Sequence, residues 1–359
     1  MKQDLKEIIR HFKVSTDITP FGEGHINDTY LAVSAPYKYI LQKINHNIFK
    51  DPYSLMDNVA GVTDYLRMVI EENGGDPDRE TLTVIKTTDN KNLYETPDGD
   101  FYRMYIYIEN SRAYQSAEKK GLFYNAAKAF GKFQNLLSGF DASTLTETIP
   151  DFHNTRERLN QLKDAIENDK AGRLSSVKKE VDFALSRENI TGIIVDALKN
   201  KEIPLRVTHN DTKLNNVLFD EETDEAVCVI DLDTVMPGSL LYDYGDAIRF
   251  GASSGAEDEK DLDKIFCNLE LFEEFTKGFL EELAPSITEK ETELLPFSAK
   301  LITYECGIRF LADYLNGDTY FKTHYPEQNL DRARTQFKLV SDMEEKMEIM
   351  EKIVEKYSK

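Results

Sequence analysis

Cysteine is scarce in this chain of 359 residues: Cys228, Cys267 and Cys306 are widely spaced and set in apolar pattern. An odd, scattered set fits reduced core thiols better than disulfides or a cysteine metal cage. Positive charge is short as well. Forty-four basic residues stand against 65 acidic ones, a formal charge of -21, which argues against nucleic acid or an anionic membrane surface as a partner. Any phosphate ligand must therefore be gripped locally. No apolar run is long enough to span a bilayer, and no internal repeat or low-complexity segment occurs. The opening MKQDLKEIIRHF is charged and amphipathic, unlike a signal peptide, so a cytoplasmic location is expected. What remains is an ordinary globular composition, 40% hydrophobic and 11% aromatic, with length enough for two domains.

The densest chemistry lies in THNDTKLNNVLFDEETDEAVCVIDLD, Thr208 to Asp233. His209, Asp211 and Asn216 stand in the order H-x-D-x-x-x-x-N, followed by two short apolar runs parted by an acidic turn, then Asp231 and Asp233. The runs Val217 to Phe219 and Val227 to Ile230 read as antiparallel strands. Their pairing brings Asn216 and Asp231 together at the open end of one hairpin, two hard oxygen ligands suited to Mg2+. Phosphoryl transfer to a hydroxyl also needs a carboxylate to accept the proton, and Asp211 is the candidate base. His209 braces the loop in this reading, Lys213 reaches a phosphate oxygen, and Asp233 binds a second metal or a substrate hydroxyl. The alternative for any one of these acids is a turn cap.

Upstream, Gly22 and Gly24 lie in a loop between the strand-like stretches Ile18 to Phe21 and Thr29 to Val33. Such a loop lets backbone amides approach a nucleotide phosphate, although Gly-x-Gly also suits an ordinary hairpin. Tyr37 to Ile44 reads as the strand that carries the phosphate-contacting lysine of a kinase. Register decides between Gln42 and Lys43, because neighbours in a strand face opposite sides. The helix from Pro52 to about Glu72 bears Asp57 and Asp64 but no glutamate until Glu71, so a lysine–glutamate pair is in doubt. Strands at Thr81 to Lys86 and Phe101 to Ile108 complete a small antiparallel sheet, with helices from Leu122 onward. A boundary is expected at 109/110, giving an α+β, bilobal, protein-kinase-like fold: a nucleotide-binding lobe over 1–109 and a mainly helical catalytic lobe over 110–359.

THNDTKLNNVLFD and IDLDTVMPGSLLYDYGDAIRFGAS resemble the aminoglycoside phosphotransferase/choline kinase superfamily. GEGHINDTY, YILQKIN, FGKFQNLLSGFDASTLTETI, ELLPFSAKL, ECGIRFLADYLNGDTYF and YPEQNL are similar, in the same order, to its N-acetylhexosamine 1-kinase branch. The resemblance implies transfer of the ATP γ-phosphate to the anomeric hydroxyl of a small-molecule N-acetylhexosamine, with Asp211 as base and Asn216 and Asp231 on Mg2+. It makes His25, Phe250, Arg309 and Tyr320 candidate sugar contacts, places Asp243 as a brace for the loop, and puts Gln42 at the usual lysine position. The alternative for Arg309 is a salt bridge to Asp313 or Asp246, and for Phe250 and Tyr320 a place in the core. A kinase for another small alcohol (an aminoglycoside, choline or a neutral hexose) and a non-catalytic nucleotide-binding module remain the other readings. A monomer is expected, with a dimer left open.

Overall fold

The computed structural model describes residues 5–22, 26–115, 119 and 121–359. Strands run over Ile18–Pro20 (β1), Asp28–Ser34 (β2), Tyr37–Ile44 (β3), Val84–Ile85 (β4), Tyr94–Glu95 (β5), Phe101–Ile106 (β6), Ser111–Ala113 (β7), Arg206–Thr208 (β8), Val217–Asp220 (β9), Ala226–Val229 (β10) and Met236–Gly238 (β11). Helices run over Leu5–Arg10 (α1), Pro52–Glu72 (α2), Pro77–Glu80 (α3), Leu122–Leu136 (α4), Thr155–Asn168 (α5), Lys178–Leu185 (α6), Ile193–Lys199 (α7), Leu240–Gly251 (α8), Leu269–Leu283 (α9), Glu289–Asn316 (α10) and Gln328–Tyr357 (α11). The fold is α+β, and among the described residues no helix is long and apolar enough to cross a membrane.

Two compact units divide the chain. The first comprises 1–114, 136–149 and 216–237, and the second 115–135, 150–215 and 238–359. This departs from a single boundary at 109/110, and strand pairing gives the reason. β7 pairs antiparallel with β9, Ser111 facing Asp220, and Arg79 donates both to the Glu109 carbonyl and to Asp220 (both 2.6 Å). The β9–β10 hairpin, with Asn216 and Asp231 at its mouth, is thereby sewn to the first unit rather than to the helices around it in sequence.

In that unit the main sheet has the order β1-β2-β3-β6-β4, with β5 also on β6. Register fixes which side chains share a face. Leu41 pairs with Met104 and Lys43 with Tyr102, while Gln42 pairs with Arg103. Leu41, Tyr102 and Met104 pack with Ile8, Ile9 and Phe12 around α1. Gln42 and Arg103 therefore face the opposite way. On that other side lies α2, begun by Pro52 with Asp51 accepting from the Ser54 N–H (3.1 Å), so that Leu55, Met56, Val59, Val62 and Leu66 are buried along one stripe.

The second unit is built on α10, which starts in a capping box between Thr288 and Glu291 and ends at Gly317, φ +94°. Its residues Tyr304, Ile308, Leu311 and Leu315 form a core with α5, α6 and α11. Helix α8 also crosses α10, at Gly245: a Cβ there would stand 2.6 Å from the Ser298 carbonyl oxygen. That close crossing holds the helix from which Asp243, Asp246, Arg249 and Phe250 project.

Candidate active site

In the second unit, one carboxylate organises the loop that follows β8. Asp243, in the first turn of α8 and buried, accepts from the backbone N–H groups of His209 (2.9 Å) and Asn210 (2.7 Å) and from Gln134 Nε2 (2.6 Å). Gln134 also donates to the Val207 carbonyl (2.9 Å), and Thr212 Oγ1 to that of Asp243 (2.6 Å). Burial pushes the Asp243 carboxyl up against the pull of His209 and these donors. His209 is fully buried, with the rings of Phe130 and Phe133 edge-on to its own, and its Nδ1 accepts from the Asp211 N–H (3.3 Å). The loop backbone is thus anchored, with Asp211 half-buried at its turn.

Asp211 Oδ1 stands 2.6 Å from Lys213 Nζ, and Lys213 lies 6.0 Å from the centre of the Phe250 ring. Burial works against the Lys213 charge, but Asp211 and Asp246 outweigh it and raise its pKa. Asp246 in turn accepts from Arg249 (3.0 and 2.8 Å) and from the Thr212 N–H (3.2 Å). Burial pushes its carboxyl up, and Arg249 with Lys213 pulls it below the usual carboxylate range. Phe250 is 43% exposed.

Arg309 lies farther along the same unit, its guanidinium 5.4 Å from the Phe152 ring, 5.9 Å from that of Tyr320 and 5.6 Å from that of Phe321. Neither carboxylate considered for a salt bridge is spent on it. Asp313 accepts from the N–H groups of Thr319, Tyr320 and Phe321 and from Asn329, and Asp246 is taken by Arg249. Tyr320 is 67% exposed, so neither it nor Phe250 is a core aromatic. Beneath Arg309, Glu305 is buried against His153 Nδ1 (2.8 Å) and Thr155 Oγ1 (2.6 Å). Burial pushes its carboxyl up, but His153 and then Arg309 hold it below the ordinary value.

In the first unit, Ile230 N–H donates to the Asn216 carbonyl (2.9 Å) and extends the β9–β10 ladder to the hairpin mouth. Asn216 is buried there and Asp231, at φ +59°, is exposed. Two oxygen ligands from protein suit magnesium, which takes the rest from phosphate and water. No group of three acidic, histidine or cysteine ligands occurs among the described residues. Asp233 is 4% exposed, ion-paired with Arg103, and accepts from Asn27 Nδ2 (2.6 Å).

The rest of the nucleotide set separates by face. Lys43 pairs with Asp100 (2.8 Å) on the α1 side, away from Gln42, so one ligand cannot be met by both. Gln42 Nε2 donates to Thr29 Oγ1 (3.1 Å), and its Oε1 accepts from Arg103 Nε (3.0 Å). Gly22 has φ +75° beside a loop closed at its base by the Phe21 N–H to the Thr29 carbonyl (2.9 Å). Gly24 and His25 lie outside the described residues. Motif reading missed Arg103, Gln134 and Arg249. Arg103 had a signal, a lone cation in the strand FYRMYIYI; the other two sit in ordinary helical pattern.

Comparison with known proteins gives the family. A model of the Phosphotransferase enzyme family matches residues 17–275, well over half of the chain. Among solved structures, a microcompartment-associated aminopropanol kinase is 16% identical with a TM-score of 0.61, covering 97% of this chain and 98% of its own. An aminoglycoside phosphotransferase from Alicyclobacillus acidocaldarius is 11% identical with a TM-score of 0.63, covering 99% and 98%. A spectinomycin phosphotransferase in complex with ADP and spectinomycin is 15% identical with a TM-score of 0.57, covering 96% and 97%. By the extent of that family match, the chain belongs to the Phosphotransferase enzyme family.

Proposed function

We propose that this kinase transfers the γ-phosphate of ATP to the anomeric hydroxyl of an N-acetylhexosamine, giving the sugar 1-phosphate and ADP. The observation that carries the reading is Arg309: a guanidinium framed by three aromatic rings, whose neighbouring acid, Glu305, is hydrogen-bonded to His153 and Thr155. Such a group donates hydrogen bonds to hydroxyl or acetamide oxygens while exposed rings such as Tyr320 cover the apolar face of a sugar. It also disfavours a polycation. Arg158 lies close enough for Arg309 to depress its pKa further, after burial, the larger cause, and an aminoglycoside would add more positive charge to this surface.

In this reading Asp211 accepts the proton of the attacking hydroxyl, and Lys213, beside it, neutralises charge on the phosphoryl group as it leaves ADP. Asn216 and Asp231 would hold magnesium, which supplies charge neutralisation to the nucleotide phosphates. Asp243 and His209 act by fixing the loop. The test is an acceptor panel with Mg-ATP: N-acetylglucosamine and N-acetylgalactosamine should be phosphorylated with kcat/KM well above those of choline, neutral hexoses and aminoglycosides. Preference for any of the latter would refute the sugar assignment while leaving the kinase assignment intact.

A further inference from the structure

Where a kinase sheet carries its phosphate lysine, this chain has Gln42, and Lys43 beside it is committed to Asp100 on the opposite face. The cation on the Gln42 side comes from the neighbouring strand. Arg103 is the register partner of Gln42, is 1% exposed, and lies in the middle of an otherwise apolar and aromatic β6. Its Nε donates to Gln42 Oε1 (3.0 Å), its Nη1 is ion-paired with Asp233 Oδ1, and Nη2 has no partner among the described residues. Helix α2 presents Met56 rather than an acid, its sulfur 3.7 Å from Nη1. Asp233, two residues beyond the proposed metal ligand Asp231, supplies the anion instead.

We propose that Arg103 is the phosphate-contacting cation of the first unit, held by Gln42 and Asp233 so that its remaining nitrogen meets the nucleotide phosphates beside Asp231. The pair Arg103–Asp233 does here what a lysine and a helix glutamate do in a kinase whose sheet keeps that lysine. A guanidinium suits the exchange because its planar fork holds two positioning partners and still has a donor to spend, which a single ammonium does less well. Burial opposes its charge, but Asp233 and Tyr105 outweigh that and keep it protonated, with Asp231 adding to the field. The proposal rests on the kinase reading and not on the identity of the sugar.

The test omits any acceptor. Calorimetric titrations with adenosine, ADP and Mg-ATP should show that Arg103→Met binds adenosine like wild type but ADP and Mg-ATP about tenfold to a hundredfold more weakly, the effect of losing a charge-assisted hydrogen bond. The double variant Gln42→Lys, Arg103→Met should recover part of that loss, since a lysine at 42 projects to the same face. Should Arg103→Met fail to fold, the arginine side-chain 15N spectrum of the wild type, assigned against Arg103→Lys, gives the same answer: the Arg103 resonance shifts with ADP and not with adenosine. Affinities for all three ligands unchanged from wild type in a folded variant, or an Arg103 resonance indifferent to ADP, would make the ion pair merely structural and overturn the proposal. A wild type that binds no ADP would overturn the kinase reading as well.

Discussion

The two units hold their polar groups by different means. In the second, the loop from Thr208 to Lys213 is tied by backbone: the Asp243 carboxylate takes the N–H groups of His209 and Asn210, and Thr212 returns a hydroxyl to α8. In the first, side chains hold side chains, with Arg103 joined to Gln42 and Asp233, and Asp233 also to Asn27. A loop anchored through its main chain presents Asp211 with little dependence on the identity of its neighbours. The side-chain network depends on its members, because Arg103 and Asp233 are buried and loss of either would leave the other unsatisfied.

Asp211→Asn should therefore break the chemistry without breaking the loop. Its kcat should fall by about 10²- to 10⁴-fold, the usual contribution of a positioned base, with nucleotide affinity and melting temperature close to wild type; near-normal kcat would remove Asp211 from the role of base.

That contrast also decides what was legible in the chain. His209, Asp211 and Asn216 are spaced by local geometry, so the motif and the hairpin mouth with Asn216 and Asp231 could be read directly. Helix α2, read from Pro52 to about Glu72, has those bounds in the structure. Long-range pairs were not legible. Arg103 and Asp233 meet across 130 positions, and only the register of β3 against β6 reveals that Lys43 faces the wrong way. The return of the β9–β10 hairpin to the first unit is likewise a pairing with β7 that no local pattern announces.

Arg309→Ala sharpens the comparison next. Because Glu305 keeps its bonds to His153 and Thr155, the substitution should raise KM for the sugar by about tenfold or more, as loss of a hydrogen bond from a charged donor does, while melting temperature holds. A fall in stability with unchanged KM would mean a packing role. Gly245→Ala tests the scaffold of the second unit: the new methyl meets the Ser298 carbonyl, and destabilisation of about 1–3 kcal/mol is expected in denaturant unfolding. The smallest effect is on acid stability. The Glu305 carboxyl is held below its ordinary value, so its stabilising contribution is full above the unfolded pKa of about 4.3 and is lost as pH falls through the folded value. Glu305→Gln should flatten that acid limb of melting temperature against pH, and an unaltered limb would show that the His153–Glu305 pair is not its source.

The position of the transferred phosphate is read directly by 31P NMR of the product from Mg-ATP and N-acetylglucosamine. The account predicts a phosphate coupled to the anomeric proton, with ADP formed in equal amount and no product from Asp211→Asn on the same timescale. A phosphate on any other carbon, or ADP released without a phosphorylated sugar, would contradict it.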